Sequence, residues 1–325
     1  MNILVLGGTQ FVGRAIVDEL LAKKHQVTLF HRGKTNPDLF PTCKHILGDR
    51  VADIEKAKAT HWDAVVDVSG YLPSQLVASA QLKTDFYTFI STISIYETEG
   101  IEGPFDEQTR QFAEGEMDAT EVTGANYGPL KVTCERIVRE AFSDNHAMIR
   151  PGIIIGPHDH TGRFPYWVAR LDQFDEVLVP NTFEERFQGI DARDLATFVV
   201  SNTEQKLHGF WNAVGPRVTF GEVIDEIRRQ TEREHNLVVA SIEELEKVDV
   251  KLWQDLPVTL PPGSQTFNYD PAKAQSAGLN LRPIAETITD TLAWVRAEGK
   301  DGLGKYGMTR EREIEAILRL KSLAN

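Results

Sequence analysis

Apolar residues follow two alternating rhythms over roughly the first half of the chain. Six short runs are built around apolar cores: "NILVLG" (2–7), "QVTLF" (26–30), "CKHILGD" (43–49), "DAVVDVSG" (63–70), "FYTFIST" (86–92) and "HAMIRPGIII" (146–155). Runs of that length and composition suit strands buried on both faces. Between them apolar positions recur at helical spacing, as at Phe11, Val12, Ala15, Ile16 and Leu20, and helices are expected over 74–84 and 127–142. Such strands alternating with helices predict an α/β fold built on a doubly wound parallel sheet, a Rossmann arrangement.

Past Gly156 the rhythm loosens. Residues 157–185 are rich in aromatics and turns, 187–202 predicts a strand feeding a helix, and "FWNAV" (210–214) predicts another strand. The stretch 216–285 mixes polar and apolar residues and contains Pro261 and Pro262. The expected organisation is a dinucleotide-binding domain over 1–156 that also receives about 187–215. Residues 157–186 and 216–300 form a smaller mixed α/β substrate lobe. A helical tail occupies 301–325, amphipathic over 309–323, with Thr309 as its N-cap. That tail is expected to pack on its own protein or on a twin subunit.

The first strand runs into "LGGTQFVGR" (6–14), a strand–turn–helix whose backbone N–H groups face an anion at a helix N-terminus. Gly7 permits the tight exit, Gly8 lets backbone approach a phosphate, and Gly13 lets the helix pack close. The loop residues Gly7, Gly8, Thr9, Gln10, Phe11, Val12 and Gly13 form the expected cofactor cradle. Gln10 stands where a middle glycine is usual, and the cradle survives if its side chain points outward. At the end of the second strand, "FHRGKTN" (30–36) lacks the carboxylate that grips an NAD ribose. His31, Arg32 and Lys34 stand there instead, and the two cations suit a 2′-phosphate. NADP(H) rather than NAD(H) is therefore expected, unless Arg32 and Lys34 are merely solvated. Asp49 either reaches the adenine or caps the next helix. Ser69 and Gly70 are counted with the cofactor-binding residues.

Tyr127 and Lys131 lie four residues apart, on one face of a helix for which Asn126 is a candidate cap and Pro129 sits in the first turn. An ammonium beside a phenol favours the phenolate, which fits a general acid/base. Ser91, Thr92 and Ser94 end the fifth strand, at the carboxyl edge where such sheets bind ligands. A hydroxyl there either steadies a substrate oxygen or serves the strand end structurally.

Together "GGTQFVG", "STISIY", "YGPLK", "RPGIIIGP" (150–157), "IDARDLA" (190–196) and "GLNLRPIAETITDTLAWV" (278–295) resemble the extended short-chain dehydrogenase/reductases, the NAD(P)-dependent epimerase/dehydratase family. The resemblance covers nearly the whole chain. It implies a catalytic triad of Thr92, Tyr127 and Lys131, with Thr92 chosen because it lies four residues before Tyr96. It also implies that Pro151, Gly152, Ile153 and Ile154 line the nicotinamide side, and that a homodimer pairs through sheet-flanking helices. The Gln10 loop is similar to that of atypical members, the isoflavone-reductase-like proteins and chloroplast RNA-binding relatives among them. Nucleotide-sugar epimerases place an arginine seven residues before the aspartate corresponding to Asp194. Here that count lands on Phe187, with Arg186 one step away, which counts against a nucleotide sugar.

For the substrate, His158, Arg163, Phe164, Tyr166 and Trp167 offer aromatic surface and one cation, with Ser94 on the sheet side; this suits a modest, partly apolar or aromatic small molecule. Alternatively Phe164 and Trp167 pack the lobe and Arg163 faces solvent. His158 and His160 lack a third ligand at a telling spacing, so no metal is expected.

Composition narrows the rest. Over 325 residues the net charge is −13, and residues 97–126 carry nine carboxylates against one arginine. This argues against nucleic acid or an anionic membrane as partner. No apolar run approaches the ~18–20 residues that span a bilayer. Two cysteines, Cys43 and Cys134, imply no disulfide framework, and the early first strand leaves no room for a signal peptide, so a cytoplasmic setting is expected. The leading expectation is an NADP(H)-dependent oxidoreductase on a small hydroxy or carbonyl substrate. Two others stay open: a nucleotide-sugar epimerase/dehydratase with retained cofactor, and a non-catalytic NADP-binding or RNA-binding sensor.

Overall fold

In the computed structural model, which describes residues 1–299, 301–302 and 304–323, seven parallel strands form one sheet. They are β1 (Asn2–Leu6), β2 (Gln26–His31), β3 (Lys44–Leu47), β4 (Ala64–Asp67), β5 (Tyr87–Ile90), β6 (His146–Pro151) and β7 (Gly209–Ala213). Their order is β7-β6-β5-β4-β1-β2-β3, with Leu4 opposite Thr28 on one side and Val65 on the other. The order reverses between β1 and β4, and ligands of such sheets bind outside the carboxyl ends at that point.

Helices cover both faces, as the unbroken apolar strands require. On one, α2 (Pro73–Ser79) and α3 (Tyr127–Phe142) bury Leu76, Cys134, Ile137 and Val138 against Leu4, Leu6, Val65 and Phe89. On the other, α1 (Phe11–Ala22) packs on α4 (Ala192–Gln205), and Thr88 and Thr203 share a 2.7 Å hydrogen bond.

The chain divides into two units. The first takes 1–154, 192–215 and 269–281, so it includes a segment that the sequence pattern had left in the lobe. Phe105 bridges to Tyr269 and accepts the Asp270 N–H at 2.8 Å, which draws that segment in. The second unit takes 155–191, 216–268 and 282–323 of the described residues. It pairs Glu176–Pro180 with Asn236–Ala240 in parallel and contains the helices Pro165–Gln173, Phe220–Thr231, Ile284–Glu298 and Arg310–Leu323. The last of these is the expected tail helix, and Thr309 Oγ1 caps it by accepting the Arg312 N–H at 3.3 Å.

Three local expectations change. The run 146–155 is not one strand, because Pro151 has no N–H to continue the ladder and the Gly152 N–H turns to the Ala213 carbonyl. The helix expected over 74–84 stops at Ser79, and Lys83–Thr84 pairs with His61–Trp62 instead. Asn126 stands at the head of α3 without capping it: its side chain reaches back to Thr123 and Glu121. Among the described residues no helix is long and apolar enough to cross a membrane.

Candidate active site

The first βα turn is built at clearances only glycine allows. Gly7 and Gly8 have φ of +108° and +101°. A Cβ on Gly13 would stand 2.8 Å from the Gly8 nitrogen, and one on Gly7 would stand 2.6 Å from Val68 Cγ2. The third expected glycine is unnecessary, because Gln10 has extended backbone (φ −145°, ψ 138°) and its side chain is exposed. This cradle, with the N-terminus of α1 above it, fits a dinucleotide diphosphate.

The loop after β2 presents Arg32 and Lys34 to solvent, and among the described residues neither side chain makes an ion pair or hydrogen bond. Asn36 Nδ2 donates to the Thr9 carbonyl at 2.8 Å, tying this loop to the cradle. His31 differs from expectation. Its ring is buried, with Nδ1 accepting the Gly33 N–H and Nε2 at 2.8 Å from His45 Nδ1, so both nitrogens serve the loop itself. Burial, aided by His45, lowers its pKa. Asp49 is the cap of the following helical turn, accepting from the N–H groups of Val51 and Ala52. Ser69 Oγ likewise has protein partners, Arg50 Nη2 and the Leu6 carbonyl.

At the end of β5, Thr92 has extended backbone and starts a short 3₁₀ turn over Ile93–Ile95. Its Oγ1 accepts the Ser94 N–H and donates to Ser94 Oγ, each at 3.1 Å. Thr92 is buried and Ser94 exposed. The head of α3 lies directly on this turn: any Cβ on Gly128 would collide with the Ser94 carbonyl. Tyr127, next to that glycine, is half-buried. One turn on, Lys131 is only 2% exposed. Its Nζ donates to the carbonyls of Gly70 and Ile90, both at 2.8 Å, and lies 4.1 Å from the centre of the Phe89 ring. Burial lowers its pKa to about 8. Burial also raises the neighbouring Cys134 thiol to about 11, which keeps it protonated and inert.

Arg50, Asp67 and Gly128 were not singled out by the sequence reading. Asp67 was detectable as a lone carboxylate inside the apolar run "AVVDVSG", because a charge on a buried strand requires a partner. Of the nicotinamide-side candidates, Pro151 is buried and Gly152, Ile153 and Ile154 are half-buried.

Within the second unit the expected substrate wall changes. Phe164, Tyr166 and Trp167 are fully buried: Phe164 stacks on Phe187, and Trp167 Nε1 donates to the Pro257 carbonyl at 2.7 Å. They are core residues, since aromatic area is more valuable packed than wet. His158 and Arg163 keep exposed atoms; His158 meets Trp294 edge-on and Arg163 Nε reaches Thr161 Oγ1. Phe187 is buried and Arg186 exposed, as alternation on their two-residue strand requires. Among the described residues no cluster of ligands could hold a metal.

The seven strands form a doubly wound sheet with a glycine-only first turn and a tyrosine–lysine helix at its carboxyl edge. Residues 3–87 match the model of the NAD dependent epimerase/dehydratase family, the family that the sequence motifs resemble. A Bordetella bronchiseptica enzyme solved with NAD+ is 16% identical with a TM-score of 0.70, over 92% of this chain and 99% of that one. UDP-glucose 4-epimerase of Thermotoga maritima, solved with UDP-glucose, is 16% identical with a TM-score of 0.68, over 92% of this chain and all (100%) of that one. At these identities the likeness is one of fold. A chloroplast stem-loop binding protein of Arabidopsis thaliana is 26% identical over 240 residues, 67% of this chain. The chain spans 60% of that relative's length.

Proposed function

We propose that this chain is an NADP(H)-dependent oxidoreductase acting on a small hydroxy or carbonyl compound. The observation that carries the reading is a lysine sunk to 2% exposure one helical turn beyond Tyr127, beside the edge that bears Thr92 and Ser94. A buried ammonium is expensive, and it is retained where its charge has work on a neighbour.

Gly7 to Gly13 would hold the diphosphate, Arg32 and Lys34 the 2′-phosphate, and Gly152 to Ile154 would line the nicotinamide side. The bound cofactor supplies a hydride donor or acceptor. The chain handles the proton. Tyr127 Oη gives it to, or takes it from, the substrate oxygen; Lys131 favours the phenolate by its charge; Thr92 Oγ1 orients that oxygen. Ser94, exposed at the same edge, would contribute a polar contact to the substrate.

Fluorescence titration with NADPH and with NADH tests the cofactor. Tighter binding of NADPH is expected, and a clear preference for NADH overturns that part. A nucleotide-sugar substrate is disfavoured because Phe187 fills the core where a diphosphate-binding arginine would stand. Protection by UDP-glucose in a thermal shift would reverse that judgement.

The Arabidopsis relative favours a second reading, a dinucleotide-binding protein that contacts structured RNA. The net charge of −13 weighs against it. A low-salt gel shift with a stem-loop RNA separates the two.

A further inference from the structure

Beneath the cradle lies a charge pair that a parallel sheet does not need for its own sake. Asp67, at the carboxyl end of β4, is fully buried and receives four donors. Arg50 Nη1 and Nη2 reach its two oxygens at 2.8 and 2.7 Å, the Tyr87 hydroxyl donates at 2.7 Å, and the Ser69 N–H at 3.1 Å. Well-packed apolar residues commonly stabilise a site as well as a buried pair does, so the pair's distinctive contribution is geometry. That geometry leads to the active-site edge. Arg50 Nη2 also binds Ser69 Oγ at 2.7 Å, and Ser69 Oγ donates to the Leu6 carbonyl at 3.0 Å, one residue before the cradle. The next residue, Gly70, gives its carbonyl to Lys131. Gly70 has no room to shift: a Cβ there would stand 2.8 Å from the Phe89 ring and 3.1 Å from Asp67 Oδ2.

We infer that Arg50 and Asp67 are positioning residues for Lys131, fixing the turn 68–70 whose Gly70 carbonyl holds the lysine ammonium and coupling that turn to the dinucleotide cradle. The inference rests on the reading of Lys131 as part of an oxidoreductase site. The charged and titratable groups around the ammonium include Tyr127 one turn back, Cys134 and Glu135 on its own helix, and Asp67 and Arg50 from below, with the Tyr71 ring at 5.5 Å. Asp67 holds the ammonium's pKa up and Arg50 pushes it down, against the larger lowering by burial.

The test is a titration of the Lys131 ε-carbon by NMR in protein carrying ¹³C-lysine, with Lys131→Arg identifying the signal. Asp67→Asn is expected to lower the midpoint, and Arg50→Met to raise it, each by about one pH unit. A rise in both midpoints, with the helical circular dichroism intact, is a released turn that outweighs the lost charge and also supports the inference. Unshifted midpoints in both variants overturn it. Where a single variant loses its helical circular dichroism, the charge-balanced Arg50→Ala/Asp67→Ala decides. A midpoint raised above wild type, from a released turn, supports the inference; an unchanged midpoint overturns it. The titration needs neither cofactor nor substrate. If the wild type fails to bind NADPH, the oxidoreductase reading falls and the positioning result stands by itself.

Discussion

Lys131 and the pair Arg32–Lys34 carry the same charge into opposite surroundings. Lys131 is buried between two carbonyls and an aromatic face, and every neighbour is set by the fold. Arg32 and Lys34 stand in solvent on a loop, held at a distance by the Asn36 latch to Thr9. A buried charge is costly to desolvate, so its position is tightly specified and its neighbours tune it. An exposed charge is cheap and adaptable, and it becomes specific only when a ligand brings an anion to it. The first kind suits chemistry, the second recognition.

Removing the phenol proposed to carry the proton is expected to have the largest effect. Tyr127→Phe should lower turnover of NADPH with a panel of aromatic aldehydes and ketones by about 10²- to 10⁴-fold. NADPH affinity should stay near wild type. Unchanged turnover would remove the tyrosine from the mechanism.

Lys131→Met sharpens the contrast through stability. The folded ammonium titrates near 8 and its ordinary value is 10.5, so between those pH values the unfolded chain binds more protons than the folded one. This group's contribution to stability therefore rises with pH across that window, and its full cost is present below 8. Relative to wild type, the variant should therefore be more favoured at pH 7 than toward pH 10.5, by up to about 3 kcal/mol, whatever the fixed cost of leaving the Gly70 and Ile90 carbonyls without their donor. Urea unfolding at pH 7 and pH 10 measures this; the same stability difference at both pH values contradicts it.

At the exposed pair the effect should be smaller and specific. Arg32→Ala/Lys34→Ala is expected to weaken NADPH binding by about ten- to a hundredfold, flatten its salt dependence and leave NADH binding unchanged. Equal losses for both cofactors would mean that the cations do not read the 2′-phosphate. Asn36→Ala should have the smallest effect, about 1 kcal/mol or less in NADPH affinity, because one partly exposed hydrogen bond is lost. A loss as large as that of the double variant would show the latch, rather than the charges, to be the main determinant.

These two regions also differ in how far the sequence exposes them. Tyr127 and Lys131 were legible because helical spacing puts them on one face, and α3 runs over the residues expected, 127–142. Arg32 and Lys34 stood out as cations where a carboxylate is usual at a strand end, and the loop exposes both. The pairing of His31 with His45 was not legible, because His45 lies on the neighbouring strand and pairing across a sheet leaves no local trace. The aromatics of "RFPYW" were ambiguous for a related reason. A tryptophan facing a ligand and one facing a core have the same spelling, and only packing against Phe187 and Pro257 distinguishes them.

By itself the order of residues determined the doubly wound sheet, the glycine turn and the tyrosine–lysine face, because each depends on local periodicity or on backbone freedom at single positions. Tertiary structure alone decided that Lys131 is dry, that Arg50 and Asp67 meet beneath the cradle, and that segment 269–281 joins the first unit. Burial and charge pairing are properties of residues distant in the chain and close in space, and no short window of sequence contains them.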